Sequence, residues 1–404
     1  MTETPVMPLH MQRERFDPVP ELTAAREQEG ATLVVMQPFG QAAYLVTRFE
    51  DVRDVLADAT RFSNDRGNVF AAPNMPKISA EELAEMRAGQ MLAFDPPEHT
   101  RLRRMLTPEF TMRRMRRLEP RIREIVQDAL DDVETAGGSA RTADLVSTFA
   151  LPVPSLVICE LLGVPYSDRA EFQARTSKQL DMTLPLDERL KLGRESRAYM
   201  GELVARAQAD PGEDMLGMLV REHGDDLTAS ELAGISGLLL VAGHETTSNM
   251  LGIGTLALLQ HPEQLAMVRD DPAAVEPAVE ELMRWLSIVH SGVPRTTTQE
   301  VEIAGETIPA GSLVVLALPA ANRDPALVED PERFDITRGA MGHVAFGHGV
   351  HHCLGAPLAR MEMRIAFPAL LQRFPDLALA VPYEDVAFRA FHFVYGLHSL
   401  PITW

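Results

Sequence analysis

FGHGVHHCLG (346–355) frames one cysteine, Cys353, with Phe346 and three glycines, Gly347, Gly349 and Gly355, at the spacing F-G-x-G-x-x-x-C-x-G. Glycines let the backbone fold tightly around one sulfur and aim amide hydrogens at it. A helix expected to begin near Gly355 turns its positive end toward the same atom. Both effects favour a thiolate over a thiol, and Phe346 is placed to shield the sulfur from water. Two other readings stay open on these residues alone. An isolated cysteine is most often a small buried hydrophobe, which is how Cys159 reads in the apolar run SLVICELL (155–162). Around Cys353, three glycines and two histidines make a poor core for that. The second is zinc, with His343, His348, His351, His352 and Cys353 as ligands. Structural zinc takes four ligands in paired spacing, and no C-x-x-C pair occurs in the chain.

Outward from this loop, a helix is expected from about Gly355 to Phe374, kinked at Pro368. On the other side, VPRTTTQEVEIAGETIPAGSLVVLALP (293–319) reads as short strands with turns at Ala304-Gly305 and Ala310-Gly311, followed by coil to about Gly342. Near the start, TLVVM (32–36) and AYLV (43–46) form a plausible hairpin around PFG (38–40), flanked by short helices in 21–30 and 49–58. Residues 60–98 are loop-rich, with Gly67, Pro73, Pro76 and Pro96-Pro97; a loop of this length is often functional. From Pro97 to Glu222 the pattern is mainly helical, and the tail ends in strand-like pieces. The fold class is therefore mainly α with a minor antiparallel β portion.

LTASELAGISGLLLVAGHETTSNMLGIGTLALLQHP (227–262) is the longest helical signal. Thr228 with Glu231 three residues on forms a capping box, and Pro262 marks the far end. The segment is apolar on nearly all faces, so it should lie buried. His244, Glu245, Thr246, Thr247, Ser248 and Asn249 break that rule at mid-helix. A buried carboxylate is costly unless paired or neutralised. Thr246 offers a hydroxyl beside a group that can pass protons, and Gly243 leaves the helix surface bare for a flat ligand. A polar kink satisfied by internal water fits these residues as well.

Composition narrows the function. A net charge of −20 over 404 residues argues against nucleic acid, whose phosphates need a cationic face. Two cysteines are too few for a disulfide framework, and the start, MTETPVMPLHMQRERF, does not read as a signal peptide. The longest apolar stretch, 232–243, is too short to span a bilayer. A cytoplasmic protein with no membrane partner is expected. Against this acidic background, RLRRMLTPEFTMRRMRRLEPRIR (101–123) carries nine arginines and two glutamates, +7 by difference.

The cysteine loop resembles the haem-binding signature of the cytochrome P-450 family, of the actinobacterial type. Three further motifs fall in family order. AGHETT (242–247) resembles the oxygen-activation segment of the central helix. EELMR (280–284) contains a Glu-x-x-Arg pair, Glu281 and Arg284, and PERF (331–334) supplies Arg333, which joins that pair in the family. DPPEHTRLRR (95–104) is also similar to bacterial members.

The resemblance implies the P-450 fold, one catalytic domain over 1–404, with the long central helix over the haem. Cys353 would be the axial ligand. The haem would be haem b, held non-covalently since no C-x-x-C-H motif occurs. His99, Arg103, Arg295 and His351 would meet its propionates, and Phe346, Gly347 and Gly355 would shape its pocket. Glu245 and Thr246 would relay protons and hold dioxygen, and Glu281, Arg284 and Arg333 would brace the cysteine loop. The reaction implied is O2-dependent hydroxylation of an unactivated carbon. Its electrons would come from NAD(P)H through a ferredoxin reductase and an acidic ferredoxin docked on the basic stretch. Candidate substrate contacts are Leu92, Leu238, Val241, Ala242, Ile288, Val293, Phe393 and Val394. Since all are apolar, they point to a mainly hydrophobic substrate such as a polyketide, macrolide, terpenoid, sterol-like or drug-like compound. In RAFHFVYG (389–396), Ala390-Phe391 stands where relatives often carry Pro-Gly. Alternatives are a peroxide-driven peroxygenase, a non-enzymatic haem sensor and a zinc hydrolase.

Overall fold

Thr228 starts the longest element. Its side chain accepts from the Glu231 amide while the Glu231 carboxylate accepts from the Thr228 amide, and the helix Ala229–Leu259 follows. At about 1.5 Å per residue its 31 residues reach roughly 46 Å. In a computed structural model describing residues 7–28, 30–36, 40–65, 79–339 and 342–404, this rod runs through the largest apolar core. The residues expected to turn at 38–39, the punctuation at Gly67, Pro73 and Pro76, and the first six residues lie outside the described residues.

The helices are α1 (Pro20–Glu27), α2 (Phe49–Ala57), α3 (Ala80–Arg87), α4 (Glu98–Leu106), α5 (Met112–Gly137), α6 (Pro152–Leu162) and α7 (Arg169–Leu180). They continue with α8 (Leu186–Ala209), α9 (Met215–His223), α10 (Ala229–Leu259), α11 (Pro262–Asp270), α12 (Pro272–Leu286), α13 (Leu318–Asn322) and α14 (Ala356–Arg373). α10 packs against α6, α8 and α14, and α5 closes over α14. The pattern of α5 shows why. Ile122, Ile125, Val126, Ala129, Leu130 and Val133 recur at helical spacing and are all buried, so one stripe faces the core and the arginines turn outward.

A mixed sheet flanks the bundle. Its strands run in the order Thr32–Met36, Gln41–Val46, Leu313–Leu316, Val293–Thr297, Phe62–Ser63. The first two form the expected hairpin, but Gln41–Val46 and Leu313–Leu316 run parallel, a departure from a purely antiparallel portion. The sheet carries Arg295 on Val293–Thr297 toward the cysteine-loop side of the molecule. Three further details differ from the sequence reading. The loop-rich stretch before Pro97 contains α3, the coil after Pro319 contains α13, and α14 is assigned unbroken through Pro368.

The cysteine loop is held from outside. Gly349 has φ of +70°, and a Cβ there would stand 2.5 Å from the Leu56 carbonyl oxygen at the end of α2. Only glycine lets the loop press this closely onto that helix.

Candidate active site

The Cys353 amide donates to the Phe346 carbonyl at 2.8 Å, closing the loop on itself. The backbone amides of Gly355 and Ala356, at the start of α14, are directed at the sulfur, and Arg103 and Arg360 add positive charge. Burial nonetheless pushes the thiol up, against these four influences. The amides and the helix end act toward the thiolate, as the sequence suggests, and enclosure by the surrounding chain opposes them. The sulfur faces a cavity of about 1170 Å³ that Thr246 also lines.

On α10, hydroxyl and amide side chains turn back on their own helix. Thr246 Oγ1 donates to the Ala242 carbonyl at 2.7 Å, Ser248 to His244 at 2.6 Å and Asn249 Nδ2 to Glu245 at 2.7 Å. Such bonds compete with the helical ladder and loosen it locally. Glu245 is buried, and burial raises its proton affinity, opposed by Arg389 and Asn249. Its Oε1 has no hydrogen-bond partner among the described residues, while Oε2 faces Arg389 at 3.5 Å. Arg389 lies 144 residues away, and no local pattern signals the contact. Gly243 borders the cavity, and a Cβ there would also meet Ile158 of α6 at 2.9 Å, so its bareness admits a neighbouring helix as well.

Four cationic or donor groups meet on the other side. The rings of His99 on α4 and His351 lie 4.0 Å apart, and all four of their nitrogens are buried without partners among the described residues. Burial and the neighbouring His99, Arg295 and Arg103 press His351 down to about 3. Arg103 donates to the His352 carbonyl at 2.8 Å, and the buried Arg295 donates to the Pro294 carbonyl at 2.9 Å. A cluster of positive and donor groups with orphaned nitrogens fits an anionic group such as the paired propionates of a haem. Phe346 and Gly347 line the same cavity. The histidines considered for zinc are dispersed: His343 faces Glu280 at 3.2 Å and His351 faces His99. Among the described residues no group of three or more His, Cys, Asp or Glu side chains is arranged to hold a metal ion.

Behind the loop, Arg284 and Glu281 form a fully buried bidentate pair at 2.7 and 2.8 Å. Arg284 also donates to the carbonyls of Asn322 and Pro331, both at 2.9 Å, and Glu281 accepts from the Asp335 amide at 2.9 Å. α12 is thereby tied to the segment leading into the cysteine loop. Arg333 does not join through its side chain, which is exposed and faces Asp335 at 3.6 Å; only its carbonyl accepts from Arg284. Arg338 approaches Glu281 instead, at 3.7 Å. A further brace escaped the sequence reading. Glu280 accepts from Arg360 at 2.6 Å and 2.8 Å, and the Arg360 guanidinium lies 4.5 Å from the Phe346 ring centre. Burial pushes Glu280 up, but the bonds from Arg360 and His343 outweigh it and hold the carboxyl near about 2.

Of the proposed substrate contacts, Leu92, Leu238, Ala242, Ile288, Val293 and Phe393 line the cavity. Val241 and Val394 do not; Val394 is packed into the main core. The wall is also less uniformly apolar than expected, since Arg189, Arg194 and Arg197 of α8 reach it.

The family model described as Cytochrome P450 matches residues 2–184 and 205–377. Cytochrome P450 FAS1 of Rhodococcoides fascians is 51% identical over 404 residues, covering 100% of both chains. Cytochrome P450 monooxygenase PikC of Streptomyces venezuelae is 43% identical over 96% of this chain and 91% of its own. The solved structure of P450 StaH from glycopeptide antibiotic A47934 biosynthesis superimposes with a TM-score of 0.85 at 44% identity, covering 98% of this chain and 100% of that one. Matches of this extent show that the chain belongs to the cytochrome P450 family, as a haem-thiolate monooxygenase that uses O2 on a small-molecule substrate.

Proposed function

We propose that this enzyme hydroxylates a mainly hydrophobic secondary metabolite or related compound, of polyketide, macrolide, terpenoid, sterol-like or drug-like type. Electrons come from NAD(P)H through a ferredoxin and its reductase. The observation that carries the reading is the shared cavity: the Cys353 sulfur and the Thr246 hydroxyl open onto one largely apolar space. The cofactor would be haem b with no covalent link to the porphyrin: Cys353 would ligate its iron, and His99, Arg103, Arg295 and His351 would meet its propionates. When bound, it supplies O2 activation at an iron whose thiolate ligand favours O–O cleavage.

The chain's own residues do the rest. Cys353 is fixed by the hydrogen bond its amide donates to the Phe346 carbonyl and by the brace behind it. Leu238, Ala242, Ile288 and Val293 present an apolar wall that excludes water and orients a carbon skeleton. The Thr246 hydroxyl, already bonded to Ala242, holds a proton at the cavity edge. Glu245 binds protons more readily than an exposed carboxylate and passes them inward from the Arg389 side. The Glu245–Thr246 pair favours a monooxygenase over a peroxygenase, which needs no such relay.

The docking face for ferredoxin is the outer side of α4 and α5. Arg104, Arg113, Arg116 and Arg117 are exposed there, whereas Arg114 and Arg121 are engaged by Glu109 and Glu160. An acidic partner fits this surface by charge. No helix among the described residues is long and apolar enough to cross a membrane; we place the enzyme in the cytoplasm as a single catalytic unit over 1–404. The test is the ferrous–CO difference spectrum of the purified protein and of Cys353→Ser. A thiolate-type band that disappears in the variant is expected. A spectrum like that of a histidine-ligated globin would overturn the reading, and turnover by peroxide alone would favour the peroxygenase.

A further inference from the structure

The α8 face toward the cavity is built around Arg189, Gly193 and Arg197, spaced four residues apart so that they share one side of the helix. Arg194 lies beside them, and it is matched by Glu82 of α3 at 3.3 Å. The other two have no such match. Arg197 donates through Nη2 to the Met86 carbonyl at 2.8 Å, while its Nη1 is buried with no partner among the described residues. Arg189 donates through Nε to the Gln179 carbonyl at 3.1 Å, and its guanidinium lies 5.0 Å from the ring centre of Phe393, itself a cavity residue. No carboxylate stands within ion-pair distance of either arginine among the described residues. The nearest acids felt are Glu85 for Arg197 and Asp181 for Arg189, and burial lowers the proton affinity of both guanidinium groups despite them.

Half-burying two guanidinium groups without carboxylates is costly unless an anion arrives to meet them. Their planar forks match the paired oxygens of a carboxylate or phosphate. Gly193 between them also lines the cavity, and a Cβ there would stand 3.3 Å from Gln179 Nε2, another lining residue. We propose that the cavity takes an amphipathic substrate bearing one acidic group, a carboxylate or a phosphate monoester. Arg189 and Arg197 hold the acid while the apolar remainder extends toward Thr246 and Cys353. The proposal rests on the haem-thiolate reading and deepens it. It divides the cavity into a reacting end lined by Leu238, Ala242 and Val293 and a recognition end on α8.

The test uses the haem-loaded enzyme and three matched probes: decanoate, decyl phosphate and methyl decanoate. Binding is followed by the shift in haem spin state and, independently of the haem, by titration calorimetry. At least one anion should bind about 10-fold or more tightly than the neutral ester, and raising the salt should narrow the gap. Whichever of the two anions binds more tightly identifies the acid. In Arg189→Gln, Arg197→Gln and the double variant, anion affinity should fall toward that of the ester while ester affinity holds. If the arginines only fasten α8 to the Met86 and Gln179 carbonyls, both kinds of probe weaken together, and the proposal is overturned. It is equally overturned if neither anion outbinds the ester in the unmodified enzyme. The ferrous–CO band recorded on the same samples separates this outcome from a failure of the haem assignment. Should a variant not fold, the anion–ester gap and its salt dependence in the unmodified enzyme still decide.

Discussion

Arg389 Nη1 stands 3.5 Å from Glu245 Oε2 and the same distance from Asn249 Oδ1, while its other terminal nitrogen donates to Ser177 at 2.9 Å. The acid of the central helix is thus faced by a cation from the carboxyl-terminal segment, at a separation longer than a well-formed hydrogen bond. A loose partner suits a carboxyl that must exchange protons. Burial holds Glu245 up and Arg389 draws it down, so removing the cation should raise the carboxyl further. In Arg389→Gln the acid limb of the kcat–pH profile should move to higher pH, with turnover a few-fold lower near neutrality and restored on the alkaline side. A profile that keeps its shape would remove Arg389 from the relay.

Thr246→Ala should separate electron use from product formation. The hydroxyl bonded to Ala242 is the group of the pair nearest the cavity, whereas Glu245 is buried behind it. Without it, NADPH consumption should continue while peroxide replaces hydroxylated product. Equal product per NADPH in variant and parent would discard the role assigned to Thr246.

The buried pair on α12 and the exposed arginine near it should differ sharply. Arg284→Ala takes the bidentate partner from the fully buried Glu281, leaving it only the Asp335 amide and the more distant Arg338, a loss of about 3–5 kcal/mol, and should also loosen haem retention by freeing the segment before the cysteine loop. Arg333→Ala touches only a solvated contact with Asp335 and should stay within about 0.5 kcal/mol. Urea unfolding and haem-loss rates measure both. Comparable losses in the two variants would contradict the arrangement described.

These contrasts mark where sequence reading reaches its limit. Cys353 and its glycines, the capping box of Thr228 and Glu231, and the pair Glu281–Arg284 were legible because each is local: the partners lie within ten residues and their spacing encodes their geometry. Arg389 against Glu245, Arg338 against Glu281 and Arg360 against Glu280 join residues dozens or more than a hundred positions apart, which no spacing reveals. Arg333 was assigned by motif alone, but its side chain leaves the pair to Arg338. Val241 and Val394 failed for another reason. Hydrophobicity says that a residue is buried but does not say whether it faces core or cavity.

The basic face should govern reduction rate without affecting the haem site. Arg113, Arg116 and Arg117 are exposed and form no ion pair among the described residues, whereas Arg114 is engaged by Glu109. Reversing these three to Glu should slow reduction by an acidic ferredoxin and flatten its dependence on ionic strength, with the ferrous–CO spectrum unchanged. A reduction rate equal to the parent's would place the docking surface elsewhere.

Acid should unfold the protein through histidines buried without charge. His244 has no exposure, both ring nitrogens lack partners among the described residues, and its neighbours are the Phe172 ring and the Arg389 cation. Burial first, and Arg389 second, press it down to about 3. His10 and His392 are pressed down to about 4, and burial holds His290 well below its ordinary range. Because the folded values lie below the unfolded one of about 6.5, the unfolded chain takes up protons first as pH falls. The stability these groups contribute is therefore complete above about 6.5 and drains away toward about 3, by up to about 1.4 kcal/mol per pH unit for each. His244→Leu, of similar volume and unable to titrate, should lose stability less steeply between neutral and mildly acidic pH, read from urea midpoints of the haem-loaded protein. Parallel slopes for variant and parent would mean that His244 is protonated, or hydrated, inside the folded protein.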